Sequence, residues 1–350
     1  MIEVAALTSG RNIPSTRFRV RQHIPGLARH DIRVREYVPA INKYRGVPGW
    51  PEERSPKQIL PIYGLWQGVK VLTRLPGLLG SWRADVTWLE RQLLPGYLTL
   101  EPLLRRPVVF DVDDAIWLSN PWGASSVAAT ARRSALVIAG NAVLASWFVP
   151  YARRIEIVPT AVDCERFRPL PSRQGQGFTI GWIGTAGNLP FLQAIEDPLC
   201  RFLNRHDDAR LLVVADRLPQ FSSLKAKQWS FYPWSEADEA DAIAAMDVGL
   251  MPLPDNEWTR GKCSFKMLQY MACGKPVVVS PVGMNGELLR TAEIGFGAVA
   301  AEEWLSALEA LYSNPGAAHE FGRNGRQLVE RSYSLDVVGA RLAELLHEVS

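Results

Sequence analysis

The chain has 350 residues, of which 47% are apolar and 21% charged, a composition typical of a folded protein with a sizeable core. It excludes a disordered or collagen-like chain, and the length predicts about two domains. The 39 Lys and Arg residues against 36 Asp and Glu residues give a net charge of only +3, which does not favour a nucleic-acid partner.

Short apolar runs rich in β-branched residues alternate with helical segments, a pattern that predicts βα units and parallel sheets. In the first half the predicted strands are 2–7, 32–37, 86–89, 108–111, 136–139 and 155–158. In the second half they are 179–183, 211–214, 229–232, 248–251, 276–279 and 296–299. We expect an α/β protein with two doubly wound Rossmann-like domains that face a cleft.

A proline-, glycine- and polar-rich segment at 168–177 lacks apolar periodicity and is predicted to be a linker. It separates an N-terminal domain over 1–167 from a C-terminal domain over 178–334. Three helical segments follow the last strand, and the final one, 335–350, is expected to pack back toward the N-terminal domain. These three predicted helices are 302–313, 317–331 and 335–349.

An early apolar stretch over 59–80 is interrupted by Gln67, Lys70 and Arg74, which excludes a membrane-spanning helix. With its basic positions, the segment 59–82 suits peripheral contact with a membrane surface. The interpretation favoured by the sequence is instead a helix that faces the core and keeps its basic edge in water. The apolar members of the segment include Trp66, Leu72, Leu75, Leu78, Leu79 and Trp82.

The cysteines and the start of the sequence indicate the compartment. No C-x-x-C pair occurs, and no charged segment followed by an apolar run opens the chain, so we expect a protein of the reducing cytoplasm. The four cysteines are Cys164, Cys200, Cys263 and Cys273.

The second half opens on a strand, a glycine turn and a helix start. The run GWIG at 181–184 is followed by Thr185 and Asn188 and by an apolar helix from Leu189. Gly184 lets the backbone approach a ligand, while Thr185 and Asn188 can donate hydrogen bonds or cap the helix. A plain tight turn is the alternative interpretation.

Further along, a polar loop leads into a helix of about ten residues that ends at Gly274. The loop and the first turn carry Arg260, Lys262 and Lys266, and this charge beside the N–H groups of a helix start suits a diphosphate. Lys266 and Gln269 are three residues apart and can point to the same side as Lys262. A solvated basic turn is the alternative.

Several sequence runs resemble one family. They are GWIG at 181–184, MACGKPVV at 271–278, SPVG at 280–283, FDVDDAIW at 110–117, IAGN at 138–141 and VPTAVD at 158–163. Together they resemble the family 4 (group 1) glycosyltransferases, which are retaining enzymes of the GT-B fold. The resemblance covers nearly the whole chain, with its parts in the same order.

The resemblance implies a nucleotide-diphosphate sugar held mainly by the second domain and an acceptor held mainly by the first, with no metal or other cofactor. The expected donor-binding residues are Gly184, Thr185, Asn188, Trp234, Arg260, Lys262, Ser264, Phe265, Lys266 and Gln269.

The chain departs from the family at an E-x7-E pair, whose positions here hold Gly261 and Gln269. Both carboxylates are therefore missing. The Gln269 amide can still bind ribose hydroxyls. The sugar contact is unassigned, and Glu257 or Lys262 are the candidates for it in the same loop.

A second departure lies after the fourth strand, where the family often has a His-Asp pair and this chain has Asp113 and Asp114. No histidine lies at a predicted strand end, so a histidine base is not expected. We predict a catalytic set of Asp113, Asp114 and Lys266. The acids would orient an acceptor hydroxyl or stabilise charge on the sugar ring, and Lys266 would offset charge on the departing diphosphate. A helix N-cap with a solvated acid is the alternative for the two acids.

Asp111 and Asp113 also fit the D-x-D pattern by which GT-A glycosyltransferases bind a divalent metal. A three-residue pattern often arises by chance. The basic helix start of the second domain can neutralise a diphosphate without an ion, so we expect no metal.

The segment SGRNIPSTRFR at 9–19 follows the first strand. Ligands of such sheets bind at the carboxyl ends of the strands, so Gly10, Ser15, Arg17 and Arg19 are expected on the acceptor side of the cleft. Their arginines could bind an anionic acceptor or the phosphates of the donor. A solvated basic helix start is the alternative.

Three of the twelve tryptophans lie near the expected donor site: Trp182, Trp234 and Trp258. A base or sugar ring could stack on one of them, although packing in the core or at the surface is the favoured explanation for any single tryptophan.

These observations lead to one hypothesis. The chain is expected to transfer a sugar, with retention, from a UDP- or GDP-linked donor to a saccharide or lipid-linked acceptor in surface polysaccharide or glycoconjugate synthesis. It would act in the cytoplasm, or at the inner face of the membrane if 59–82 is interfacial. The alternatives are a sugar-nucleotide epimerase of the same fold and a two-lobed nucleotide-sugar-binding protein without turnover.

Overall fold

The computed structural model of the protein describes residues 1–50, 60–170 and 177–350. This described chain divides into two compact units, one formed by Met1–Ala161 with Leu335–Ser350 and the other by Val162–Ser334. The first unit thus ends before position 167, where the sequence placed the boundary. Of the predicted linker, residues 171–176 lie outside the described residues, and so does Ile59.

All twelve strands predicted from the apolar runs are present, with ends that differ by one or two residues at most. They are β1 (Ile2–Leu7), β2 (Ile32–Tyr37), β3 (Val86–Glu90), β4 (Val108–Val112), β5 (Leu136–Ala139), β6 (Ile155–Ile157), β7 (Phe178–Gly184), β8 (Ala209–Ala215), β9 (Trp229–Pro233), β10 (Val248–Met251), β11 (Val277–Val279) and β12 (Gly295–Gly297).

The helices lie between the strands, as βα units require. They are α1 (Ile24–Ala28), α2 (Leu60–Leu72), α3 (Leu75–Ser81), α4 (Gly123–Arg133), α5 (Ala142–Phe148), α6 (Leu189–Gln193), α7 (Glu196–Arg205), α8 (Glu239–Ala244), α9 (Glu257–Arg260), α10 (Phe265–Ala272), α11 (Met284–Thr291), α12 (Ala301–Ser313), α13 (Pro315–Ser332) and α14 (Leu335–Val349).

Each unit contains one six-stranded sheet in which all neighbouring strands are parallel. The strand order is β2-β1-β3-β4-β5-β6 in the first unit and β12-β11-β10-β7-β8-β9 in the second. The order reverses between β1 and β3 and between β7 and β10, and ligands of open parallel sheets bind at the carboxyl ends of strands at such points. The predicted α/β class with two doubly wound sheets is confirmed.

Side-chain contacts explain why α14 belongs to the first unit and where along the chain the two units divide. Leu342 and Leu346 of α14 are buried in the same cluster as Val4 and Ile32, so α14 belongs to the first unit. Residues 162–168 belong to the second unit, where the Arg326 guanidinium on α13 donates to the carbonyl oxygens of Cys164, Phe167 and Ala272. These three bonds explain why the division comes earlier than the composition indicated.

Helices α2 and α3 do not pack in the way that the sequence favoured. Lys70 is the buried member of α2, and Arg74, which follows it, is buried as well. Leu65, Leu72 and Leu79 are exposed. The expectation of an inward apolar face with a solvated basic edge is therefore wrong, because the two basic side chains point inward.

Tyr270 ties α10 to the middle of the second sheet. Its hydroxyl accepts a hydrogen bond from the Ile183 N–H of β7 at 2.9 Å and donates to the Leu250 carbonyl of β10 at 3.2 Å. Its ring fills the space over Gly249, where a Cβ would come within 2.2 Å of the ring. This contact fixes α10 relative to the carboxyl ends of β7 and β10.

We predict that Tyr270→Phe lowers the free energy of unfolding by about 1–3 kcal/mol, because it leaves the buried Ile183 N–H without an acceptor. The control is Tyr312→Phe, which removes an exposed hydroxyl that donates to Asp208 and should cost less than about 0.5 kcal/mol. Urea unfolding followed by circular dichroism measures both. Equal losses in the two variants would show that the hydroxyl of Tyr270 does not anchor α10.

Candidate functional site

The carboxyl end of β7 is shaped for close approach to its backbone. At Gly184, a Cβ would lie 2.4 Å from the Trp182 ring and 2.9 Å from Lys266 Nζ. Only glycine therefore fits there without displacing its neighbours. The Lys266 ammonium lies 5.1 Å from the centroid of the Trp182 ring, a cation–π contact that holds it beside the end of the strand.

Lys266 carries a charge that its surroundings do not balance. Burial, and then the neighbouring Lys262, lowers the pKa of Lys266 to about 7. Among the described residues, none accepts a hydrogen bond from its Nζ or forms an ion pair with it. A half-buried ammonium without an acceptor is less well solvated than one in water, so an anion at this position would stabilise it.

The start of α10 is held by a chain of buried polar groups. Ser264, just before the helix, has a left-handed backbone with φ of 50°, and its hydroxyl donates to Asn285 Oδ1 at 2.6 Å. The Asn285 amide donates in turn to the Ser280 carbonyl at 3.0 Å. These bonds link the basic turn to the SPVG run. Phe265 is half-buried and Gln269 is buried on the same helix.

The other basic residues of the loop are differently placed. Arg260 is exposed and forms an ion pair with Asp255, with 2.6 Å between Nε and Oδ1, so its charge is already offset. Lys262 lies 5.3 Å from the centroid of the exposed Trp258 ring. Of the three predicted cations, Lys266 is therefore the one that lies at the end of β7, half-buried against Trp182, with no acid beside it among the described residues.

The remaining predicted donor residues lie at the same edge of the second sheet. The Asn188 amide donates to the Thr185 hydroxyl at 2.8 Å just after β7, so these two side chains satisfy each other. Trp234 follows β9, where its indole N–H donates to Glu239 Oε2 at 2.9 Å. Its ring remains partly exposed.

In the first unit, a buried carboxylate lies where the strand order reverses. Glu90, at the end of β3, accepts hydrogen bonds from the Ser9 N–H at 2.8 Å, the Ser15 hydroxyl at 2.7 Å and the Thr16 hydroxyl at 3.0 Å. It also accepts a short bond from the Ser9 hydroxyl. Sequence reasoning missed this group, and it assigned Ser15 to an acceptor, whereas the Ser15 hydroxyl is buried against Glu90.

Asp113 and Asp114 lie next to an arginine that the sequence analysis did not single out. Arg91 Nε lies 2.6 Å from Asp113 Oδ1, its NH2 lies 3.7 Å from Asp114 Oδ2, and its NH1 donates to the Tyr44 hydroxyl at 3.0 Å. Burial opposes ionisation of Asp113, but Arg91 outweighs it and lowers the pKa of the carboxyl. Asp113 is thus an ionised and weakly basic group.

Arg19 is buried in a different pair. Its Nε and NH2 lie 2.9 and 2.8 Å from Asp111 Oδ1, while the Trp88 indole donates to Oδ2 at 3.2 Å. Burial raises the pKa of Asp111 to about 6 even though Arg19 acts against this. Both acids of the D-x-D pattern are therefore bound to arginines, Asp111 to Arg19 and Asp113 to Arg91.

Two acceptor-side predictions remain near the end of β1. Gly10 packs closely, since a Cβ there would lie 2.6 Å from Asn42 Cβ, and Arg17 stacks on Phe18 with its Cζ 4.5 Å from the ring centroid. Within the described ranges, no three His, Cys, Asp or Glu side chains come together in a way that could hold a metal ion.

The chain is similar to known proteins in sequence over part of its length and in fold over its whole length. Residues 178–314 match the family described as glycosyl transferases group 1. Sucrose-phosphate synthase from Thermosynechococcus elongatus has the same fold, with a TM-score of 0.71 and 16% identity over 99% of both chains. The structure of Anabaena HepE in complex with UDP and glucose aligns with a TM-score of 0.69 and 15% sequence identity over the whole of both chains. No curated protein matches the sequence.

A third similar structure is WaaG, a glycosyltransferase involved in lipopolysaccharide biosynthesis. It aligns with a TM-score of 0.64 and 14% identity over 98% of this chain and 99% of its own. The whole chain thus has the GT-B fold of these glycosyltransferases, and residues 178–314 of its second unit match a glycosyltransferase family.

We predict that Arg91→Met lowers the free energy of unfolding by about 1–3 kcal/mol at neutral pH, because it removes the nearest cation from the partly buried Asp113 carboxylate. The pair stabilises the protein above the unfolded pKa of the carboxyl, and this contribution is lost as pH falls through its lowered folded pKa. The difference in the free energy of unfolding between wild type and Arg91→Met should therefore become smaller as the pH is lowered. Denaturant unfolding at a series of pH values measures it.

Arg260→Met is the matched control for Arg91→Met, because it breaks an ion pair with both partners exposed and should change the free energy of unfolding much less. If Arg91→Met lowered the free energy of unfolding no more than Arg260→Met at every pH, this result would contradict the structural role of the partly buried Arg91–Asp113 pair.

Proposed function

We propose that the second unit binds the diphosphate of a nucleotide sugar and that Lys266 supplies the positive charge it needs. The observation that carries this proposal is the half-buried ammonium of Lys266 beside Gly184, for which the described residues provide no acceptor. A diphosphate brings the missing negative charge and several hydrogen-bond acceptors. Gly184 leaves room for the Lys266 ammonium at the end of β7, where ligands of such sheets bind.

The rest of the donor is assigned from the same edge of the sheet. We propose that the Gln269 amide binds the ribose and that Lys262, on Trp258, adds a second charge near the diphosphate. Trp182 is almost fully buried, so its ring supports Lys266, and the exposed rings of Trp234 and Trp258 are the candidates for stacking on a base or sugar. The complex of HepE with UDP and glucose supports UDP over GDP.

We propose that the first unit binds the acceptor, a saccharide or lipid-linked saccharide, with Asp113 and Asp114 near its hydroxyl. The lowered pKa of Asp113 suits stabilisation of positive charge on the sugar ring better than removal of a proton. Gly261 and Gln269 leave no carboxylate at the E-x7-E positions to act as a nucleophile.

The proposed reaction is a transfer with retention that needs no metal. The acceptor oxygen bonds to the anomeric carbon, the bond from that carbon to the diphosphate oxygen breaks, and a diphosphate oxygen takes the acceptor proton. Lys266 offsets the charge that grows on the departing group. We assign this reaction to surface polysaccharide or glycoconjugate synthesis in the cytoplasm.

The pKa of Lys266 gives a pH dependence to donor binding. A nucleotide sugar has no phosphate group that titrates near neutral pH, so its affinity should fall as pH rises from about 6 to about 9, by up to about tenfold per unit above the pKa of the free lysine. Below about pH 6 the affinity should no longer depend on pH, because Lys266 is already protonated there. Calorimetry with UDP-glucose, in two buffers of different ionisation enthalpy, measures the affinity and the proton uptake.

Lys266→Arg is the control for this titration, because an arginine stays charged and should bind with little pH dependence. A wild-type dissociation constant that does not change between about pH 6 and about pH 9 would contradict a titrating Lys266 at the diphosphate site, because only a lysine with a lowered pKa changes its charge in this range.

We further expect Lys266→Met to weaken donor binding by about 10- to 100-fold and to lower kcat as well, because the lost contact acts before and during departure of the diphosphate. Lys227→Met, at an exposed lysine away from the site, should leave both unchanged. Calorimetry gives the binding constant, and mass spectrometry and NMR of the products give the reaction.

A new glycoside with the anomeric configuration of the donor supports the proposal. A new isomer of the nucleotide sugar would instead make the chain an epimerase, and a donor that binds but stays unchanged with every acceptor would make it a binding protein. Normal kinetics in a folded Lys266→Met variant would contradict the assignment of the diphosphate site.

A further inference from the structure

The surface of α2 and α3 carries a continuous line of exposed apolar side chains. At intervals of three or four residues, one face of the two helices presents what we name the apolar stripe: Leu65, Gly68, Leu72, Leu75, Leu79 and Trp82. Leu65 is 72% exposed, Leu72 61%, Leu79 64% and Trp82 59%. Scattered exposed leucines are ordinary, but a line with helical spacing marks an interaction surface.

The face is open along its length. A Cβ built at Gly64 or at Gly68 meets no atom of the described chain within 4 Å. Leu60 and Ile62, at the start of α2, are also mostly exposed. The stripe is therefore not covered by another described part of the protein.

In an ordinary surface helix the apolar side faces the core and the charged side faces water, whereas in α2 and α3 the basic side chains are buried and leucines are exposed. Lys70 and Arg74 point inward, where Lys70 Nζ donates to the Lys43 carbonyl at 2.9 Å and Arg74 NH2 donates to the Ile41 carbonyl at 3.2 Å. Burying two cations against carbonyl oxygens while leucines stay in water is unfavourable in aqueous solution. An apolar partner on the outside would remove the part of this cost that comes from the exposed leucines.

The charge around the stripe indicates which apolar partner fits. No Asp or Glu occurs from residue 60 to residue 84, and Arg83, Arg105 and Arg106 are exposed at one end of the stripe. The Trp82 indole donates to the Leu103 carbonyl at 3.1 Å, which places the exposed Leu103 side chain in the same region. Leucine, tryptophan and arginine together match the interface of an anionic bilayer.

We propose that the apolar stripe, with Arg83, Arg105 and Arg106 at its end, docks the first unit onto an anionic phospholipid surface. The two helices lie along the bilayer and insert their leucines at the level of the headgroups. No helix of residues 1–50, 60–170 and 177–350 is long and apolar enough to cross a bilayer. This inference does not depend on the transfer reaction.

The test is flotation of the full chain with vesicles of phosphatidylcholine, with and without phosphatidylglycerol. Wild type should float with the anionic vesicles and less with the neutral ones. Leu65→Gln/Leu72→Gln/Leu79→Gln should lower the partition coefficient by about tenfold or more, and Arg83→Gln/Arg106→Gln should lower it by about fivefold for each charge on anionic vesicles only.

The matched control is Val149→Gln/Leu218→Gln/Val299→Gln, which removes three equally exposed apolar side chains outside the stripe and should float like wild type. Circular dichroism checks that each variant is folded, and light scattering gives its mass. Equal flotation of wild type and the leucine variant would overturn the proposal. Wild type that ignores both vesicle types but forms a dimer, which the leucine variant loses, would assign the stripe to a second copy of the chain.

Discussion

The ammonium of Lys266 at the end of β7 is the interaction on which the functional conclusions depend. The fold brings it there in three steps. Parallel strands place the ends of β7 and β10 at one edge of the sheet, Tyr270 fixes α10 against both, and Gly184 leaves room for the Lys266 side chain. Because no described acid balances this cation, the site is electrostatically incomplete without an anionic ligand.

The two units share one topology but distribute charge in different ways. At the reversal of strand order in the first unit, Glu90 is saturated by serine and threonine donors, and Arg91 and Arg19 are each bound to acids. At the equivalent place in the second unit, Lys266 has no such partner among the residues that the structure describes. Charges that are paired within a unit stabilise the fold, whereas a half-buried charge without a partner is available to a ligand. This difference makes the second unit the better candidate for binding a diphosphate.

Helices α2 and α3 also differ from what an isolated soluble domain would show. In an isolated soluble domain, the leucines of such helices would pack inward and the basic residues would remain in water. Here Lys70 and Arg74 are inside, and the apolar stripe is outside. The leucines of the apolar stripe therefore remain in contact with water in the first unit. Such an arrangement is stable if a partner, for which we propose a lipid surface, buries them.

The strands, the α/β class and the basic turn before α10 could be derived from the amino-acid order alone, because apolar runs, glycines and charges are local signals. The local pattern also led to the prediction that Lys266 is a ligand group. It could not show that Arg91 neutralises Asp113 or that Ser15 is bound to Glu90, since these partners are far apart along the chain and meet only when β1, β3 and β4 pair. Nor could periodicity decide which side of α2 turns inward: it groups residues on a face, but the packing of the whole unit selects the face that is buried.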